Sequence, residues 1–155
     1  LLKPLPSQLY KQDTRQLDLK MQIATQSLLE AYYTSFNAGN WDDFLTMLTD
    51  DVIHDINQSG REQGRDAFAA FMSRMNRCYR EQIVDIVIMT SPDGARAAAE
   101  YTVLGTYLAT DEGLPEARGQ TYRLAGGAFF EIRDSKVARV TNYYNLEEWL
   151  RQVQA

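Results

Sequence analysis

The spacing of hydrophobic positions changes partway along this chain. From Asp18 to Ala38 they recur every three or four residues. Leu17, Met21, Ala24, Leu28, Ala31, Tyr32 and Ser35 fall near one face, with Leu29 and Phe36 beside it, so a helix is predicted. The run "NAG" ends that helix. Asn40 caps a short second one, "WDDFLTMLT", whose first turn carries Asp42 and Asp43, where the helix dipole favours negative charge. "DVIHDIN" then alternates as a strand, and "QSGREQG" is a turn with a short returning strand. Helical spacing resumes from Asp66 to Tyr79. Phe68, Phe71, Met72, Met75 and Tyr79 line one side of this helix, and Arg74, Arg77 and Arg80 line the other. Beyond it the period is two. "EQIVDIVIMT" and "ARAAAEYTVLGTYLAT" make a hairpin around "SPDG". "QTYRLAGGAFFEIR" and "KVARVTNYYN" make a second hairpin around "DSK", after the polar loop "DEGLPEARG". "LEEWLRQV" closes the chain as an amphipathic helical turn.

Helices first and a meander second predict an α+β fold: a curved antiparallel sheet over three N-terminal helices, forming a cone-shaped pocket that suits a small ligand. The opening "LLKPLPSQLYKQ" has two prolines and no apolar core of signal-peptide length. Residues 1–17 are therefore expected to form an irregular N-terminal arm, and residues 18–155 a single domain. The length of 155 residues fits one core.

Composition narrows the function. A net charge of −5 argues against a nucleic-acid partner, which needs a basic face. No run of 18 apolar residues is present to span a membrane. Cys78 is the sole cysteine, which excludes an internal disulfide and a Cys-based zinc site; it suits a reducing compartment, and a cytoplasmic location is expected. His54 is the sole histidine, and the carboxylates are scattered, so no metal is expected. "GREQG" has neither the lysine nor the strand-turn-helix setting of a phosphate loop, and no serine sits in an elbow motif, so no cofactor is expected.

Several stretches resemble one family. "YYTSFNAGNWDDFLTMLTDDVIHDI", "GRDAFAAFM" and "FFEIRDSKVARVTNYYN" are similar to the opening, third helix and last hairpin of the nuclear-transport-factor-2-like superfamily, above all its ketosteroid-isomerase-like and SnoaL-like members. The resemblance covers roughly residues 18–153 and implies the α+β roll. That fold hosts isomerases, dehydratases, epoxide hydrolases, cyclases and non-catalytic binding modules. Ketosteroid isomerase itself, a worked case of pKa tuning, combines an Asp base with a Tyr and a protonated Asp that hold the oxyanion. Matching positions gives Tyr32 for the tyrosine, but Ile56 for the base and Ala128 for the second acid, so one member of three is retained.

The same resemblance aims the Val52–His54–Ile56 face of the first strand into the cone, with His54 near Tyr32 as a proton-handling group. Asp55 and Asn57 then face away, unless a bulge turns Asp55 inward as the base. On the last strand Asn142 and Tyr144 face inward. Asn142 would orient a carbonyl or a water, and Tyr144 would stand near the mouth; Tyr122, Phe130, Ile56 and Ala128 complete the walls. Plain alternatives stand beside each role. His54 can be a satisfied neutral core residue, Asn142 an amide bound to a backbone edge, and Tyr32, Tyr122 and Phe130 simple core. Gly126-Gly127 in mid-strand marks a bend, a bulge or a close approach, and in a sheet that curls into a cone a bend is the plain expectation.

The expectation is thus a protein binding a small, apolar, steroid- or polyketide-like carbonyl compound and moving a proton on it. A non-catalytic binding or dimerisation module of the same fold is the alternative. A hydratase or epoxide hydrolase is a second alternative, which would require Arg123 to face Asn142. A homodimer through the outer sheet face, with Leu104, Leu108 and Phe129, is implied by the family.

Overall fold

A computed structural model describes residues 7–58 and 60–155. Among these the element order is α1 (Ser7–Ala38), α2 (Trp41–Thr46), β1 (Leu48–Ile56), β2 (Gly60–Gln63), α3 (Arg65–Cys78), β3 (Tyr79–Thr90), β4 (Arg96–Tyr107), β5 (Thr121–Arg133), β6 (Lys136–Tyr144) and α4 (Leu146–Gln154). The helices and hairpins follow the periodicity, and the α+β class holds.

Three differences have physical causes. Helix α1 begins at Ser7, so residues 7–17 of the expected irregular arm are helical; residues 1–6 lie outside the described residues. From Ser7 to Ala38 the chain has no glycine or proline and is rich in strong helix formers. The buried stripe of α1 is also rotated from the expected one. Thr25, Leu29, Tyr32 and Tyr33 are buried, whereas Leu17, Met21, Ala24 and Ala31 are exposed. Apolar residues cover more than one face of α1, and contact with the sheet selects among them. Gln22 Nε2 donates to Pro92 O (2.9 Å) and Thr25 Oγ1 to Gly94 O (2.7 Å), which pins this face to the β3–β4 turn. Finally, the sheet is mixed rather than antiparallel. Its order is β2-β1-β6-β5-β4-β3, and β1 runs parallel to β6. No tight turn joins β1 and β6, which are far apart in sequence, so nothing forces the antiparallel sense. Pairing also lengthens β1. Leu48 pairs with Val137, and Val137 N donates to Met47 O (2.8 Å), so the strand starts three residues before Asp51 and shortens α2.

The sheet curves at its irregularities. The β3–β4 register shifts between Val84 and Val87, where Asp85 takes a positive φ of 54°, and the β5–β6 register shifts between Glu131 and Ile132. Helix α1 is tied to β3 by Asn37, whose side chain donates to Ile83 O and accepts from Ile83 N, both at 2.8 Å. Helix α4 closes the far end by burying Trp149 and Val153, and the Gln152 side chain bridges the N–H and C=O of Arg123 at 2.8 and 2.9 Å. The apolar faces of α1 and α3 therefore meet the concave sheet face without filling it.

Two cross-strand pairs shape that concave face. Tyr122 on β5 lies opposite Gly105 on β4, and Tyr101 on β4 lies opposite Gly126 on β5. Each ring lies flat over the facing glycine. A Cβ on Gly105 would collide with the Tyr122 ring, and one on Gly126 would stand 2.5 Å from Tyr101 Cε2. Close approach is thus the reason for Gly126, among the three readings of the tandem glycine. Gly105→Ala should destabilise the protein by about 1–3 kcal/mol through overpacking. Its urea midpoint should fall while the slope stays that of the wild type.

Candidate functional site

The space left between α1, α3, α4 and the concave sheet is a cavity of about 800 Å³, within the size range of small-molecule sites. Its walls are mainly aromatic and aliphatic. Helix α1 contributes Tyr32, Tyr33 and Phe36, α3 contributes Phe68, Phe71, Met72 and Met75, and α4 contributes Trp149. Polar groups enter from the sheet: His54 from β1, Asn142 from β6, Tyr101 from β4, Tyr122 from β5 and Glu81 from β3.

Strand alternation places His54 inward. Val52 and His54 are buried on the concave side, and Ile56 lines the cavity. The His54 ring stacks on Phe68 (centroids 4.5 Å apart, planes 25° apart) and meets the edge of Phe71 at 4.5 Å. Its Nδ1 is sealed without a partner, which leaves Nε2 as the nitrogen for any proton transfer. Nε2 lies 3.5 Å from Asn142 Nδ2, while Asn142 Oδ1 accepts a 3.4 Å bond from the Tyr101 hydroxyl. A polar line therefore runs Tyr101–Asn142–His54, and each member points its donor toward the next acceptor, ending at the Nε2 lone pair. Burial drives the His54 pKa down to about 4 against a weaker opposing pull from the Asp55 charge, so the ring is neutral at physiological pH.

Asp55 takes the outer face, as alternation requires. Arg61 holds it with two hydrogen bonds of 2.6 and 3.1 Å, and Thr141 Oγ1 donates a third at 3.0 Å. Those partners hold its carboxyl below the usual range, the Arg61 hydrogen bond first. The bulged geometry that would aim Asp55 inward is not adopted. Asn57 behaves against expectation: it lines the cavity rim, and its Nδ2 donates to Tyr144 O at 3.4 Å.

Tyr32 is buried and lines the cavity, and its hydroxyl has no hydrogen-bond partner among the described residues. It does not touch His54. Phe44 packs on Tyr32 at 4.5 Å and on Phe68 at 5.9 Å, so two rings connect the phenol to the imidazole. Burial pushes the Tyr32 hydroxyl up, so it serves as a donor and stays protonated. Tyr144 lines the cavity and is 39% exposed, consistent with a place at the mouth. Phe130 and Ala128 do not line it. Both are 1% exposed and lie in the core, where Phe130 makes T-shaped contacts with the α1 rings of Tyr32 and Tyr33.

Two polar wall groups escaped the sequence reading. Tyr101 sits opposite Gly126, and Glu81 is one alternation step from the buried Ile83. Inward alternation on β3 was the available signal for Glu81, whereas the pairing of Tyr101 with Gly126 is set by strand register and left no signal in the sequence. Arg123 reaches Asp85 (3.6 Å) outside the cavity, so the Arg–Asn arrangement of a hydratase is not assembled. Among the described residues no three His, Cys, Asp or Glu side chains cluster to hold a metal. No described helix is long and apolar enough to cross a membrane.

Residues 29–140 match the model of the SnoaL-like domain. A solved structure of a proposed polyketide cyclase from Pseudomonas putida is 62% identical, with a TM-score of 0.82 over 84% of this chain and 97% of that one. A second proposed polyketide cyclase, from Xanthomonas campestris pv. campestris, is 56% identical, with a TM-score of 0.83 over 86% and 98%. A proposed ketosteroid isomerase from Kribbella flavida, 23% identical with a TM-score of 0.58 over 80% and 79%, shares the fold alone. No curated protein matches the chain.

The His54 shift makes stability depend on acidity. The unfolded ring takes a proton near its ordinary 6.5, whereas the folded ring resists until about 4. Stability that is full above pH 6.5 is therefore lost as pH falls toward 4, to an extent of about 3 kcal/mol at 1.36 per unit. Glu81, whose carboxyl burial pushes up, acts with the opposite sign over part of this window. Comparing wild type with His54→Phe separates the two. Urea midpoints measured between about pH 7 and pH 5 should fall more steeply for the wild type than for the variant.

Proposed function

This chain belongs to the SnoaL-like domain family, and from that premise we propose that its cavity binds a small, mainly apolar carbonyl compound of the polyketide or steroid type and moves a proton on it. The observation that carries this reading is the Tyr101–Asn142–His54 line set into an otherwise apolar cavity. The relatives described as proposed polyketide cyclases favour a polyketide-like ligand over a steroid.

The chemistry follows from the groups present. The long 3.5 Å contact from Asn142 Nδ2 gives way to the ligand, His54 Nε2 takes a proton from a carbon next to the ligand carbonyl, and the C–H electron pair passes into the enolate. Charge then gathers on the carbonyl oxygen. The Tyr32 hydroxyl and the Asn142 amide are donors within the same cavity, where low polarity strengthens such bonds. The imidazolium returns the proton at a second carbon, or at the same one. A histidine with a pKa of about 4 is a weak base, so the ligand carbon must itself be acidic, as it is between two carbonyls. The non-catalytic alternative draws on Ile56 and Ala128, the two apolar residues at the positions matched to ketosteroid isomerase's base and second acid.

Deuterium uptake beside the carbonyl of 2-tetralone, followed by NMR in heavy water, tests the reaction. The wild type should exchange at least about 100-fold faster than His54→Phe, the usual worth of a positioned base. Its rate should be level near neutrality and fall only as pH drops through about 4. Saturable binding with exchange no faster than buffer would leave the binding module and remove the catalyst.

The same reading includes a homodimer through the outer sheet face. Leu104 and Phe129 are exposed there, with Phe129 against Tyr143 at 5.7 Å, while Leu108 and Tyr143 are exposed but also border the cavity. Phe129→Glu should shift the protein to half its native mass in light scattering. An unchanged mass, or a monomeric wild type, refutes the dimer.

A further inference from the structure

The β3 wall of the cavity holds a carboxylic acid that the reaction above leaves unused. Glu81, Gly105 and Tyr122 stand in one register row across three strands. The Tyr122 ring crosses Gly105, and its hydroxyl donates a 2.6 Å hydrogen bond to Glu81 Oε1. Glu81 Oε2 has no hydrogen bond among the described residues, yet it is not sealed in packing, and the residue lines the cavity. No lysine or arginine pairs with the group among the described residues. Burial pushes the carboxyl up, toward the protonated form that can donate, against a weaker opposing pull from the Tyr122 hydrogen bond. An acid with one partner in an apolar wall costs stability that a leucine would not. The flattened tyrosine that orients it requires a glycine in turn. Such an arrangement makes sense when a third group completes the carboxyl's bonding.

We propose that Glu81, oriented by Tyr122, is a second ligand-binding station, whose free carboxyl oxygen hydrogen-bonds a carbonyl or hydroxyl oxygen at the end of the ligand remote from His54. The proposal rests on the cavity reading given under Proposed function and deepens it by defining the ligand. His54 is on β1 and Glu81 on β3, with β6, β5 and β4 between them. Four interstrand steps of about 4.8 Å give about 19 Å across the strands, and the rows of the two stations cross β5 at Phe130 and Tyr122, so they are offset along the strands as well. Only an extended molecule reaches both. The ligand is therefore a rigid, fused-ring compound oxygenated at both ends, rather than one with a single polar end.

Absorbance titration with two dyes tests this: 2,6-dihydroxyanthraquinone, oxygenated at both ends, and 2-hydroxyanthraquinone, which lacks one terminal hydroxyl. The wild type should prefer the two-ended dye by about tenfold, the worth of one hydrogen bond to a buried partner. Glu81→Leu should bring the ratio of affinities to about one. Glu81→Gln, which can still donate, should keep most of it. Tyr122→Phe should lower the ratio with Glu81 in place, so the test survives if the leucine variant fails to fold. Equal affinity of the wild type for both dyes, or an undiminished ratio in Glu81→Leu, overturns the second station while leaving the cavity reading intact. Failure of both dyes to bind the wild type overturns the cavity reading and the second station with it.

Discussion

A tyrosine lying flat on a neighbouring strand needs a residue beneath it with no side chain. That steric condition, met twice on the β4–β5 ladder, organises the concave face of this protein. Tyr122 crosses Gly105 and reaches β3, where it meets Glu81; Tyr101 crosses Gly126 and reaches β6, where it meets Asn142. The two rings point in opposite directions across the sheet. Each spends its apolar body on covering the strand and delivers its hydroxyl two strands away. Were the glycines ordinary strand residues, both rings would stand upright, fill the cavity and leave Asn142 and Glu81 without these partners. The hollow and its polar groups thus have one structural origin.

Low polarity governs the electrostatics of that hollow. Burial penalises whichever form of a group is charged, so it pushes acids up and bases down. His54 falls to about 4 and is neutral near pH 7, and Glu81 is pushed toward its neutral form. Neutrality gives them complementary uses. The imidazole keeps a lone pair that can accept a proton, and the carboxyl keeps a proton that can be shared. The tyrosines around them are pushed up as well and remain donors.

The convex face is built on the opposite principle. One residue along from His54, Asp55 opens a ladder of charges across the sheet. Arg61 on β2 meets Asp55 on β1 (2.6 Å), Arg139 on β6 meets Asp55 (3.7 Å) and Glu131 on β5 (3.0 Å), and Arg96 on β4 meets Glu131 (2.8 Å). Water screens these pairs, so each adds little stability, but together they match strand to strand by charge. The period of two along β1 separates the two regimes. His54 and Asp55 are adjacent in sequence, and one is neutral in an apolar wall while the other is ionised in a polar one.

Much of this was legible in the residues. Periodicity located the helices and both hairpins, because the burial that drives folding acts on every third or fourth residue of a helix and every second residue of a strand. Alternation along "VIHDI" put His54 and Asp55 on opposite faces, and the resemblance to a known family aimed His54 inward and matched Tyr32 and Asn142 to the same hollow. What periodicity could not supply was anything that depends on which strands become neighbours. The parallel β1–β6 pairing, the rotation of α1 that buries Thr25 and exposes Met21, the loss of Phe130 and Ala128 from the cavity wall, and the Glu81–Gly105–Tyr122 row all arise from contacts between residues distant in the chain. Sequence by itself determined which side chains share a face, because that is a property of the local backbone. Tertiary structure decided what each face meets, because a register is set by packing and pairing across the whole sheet.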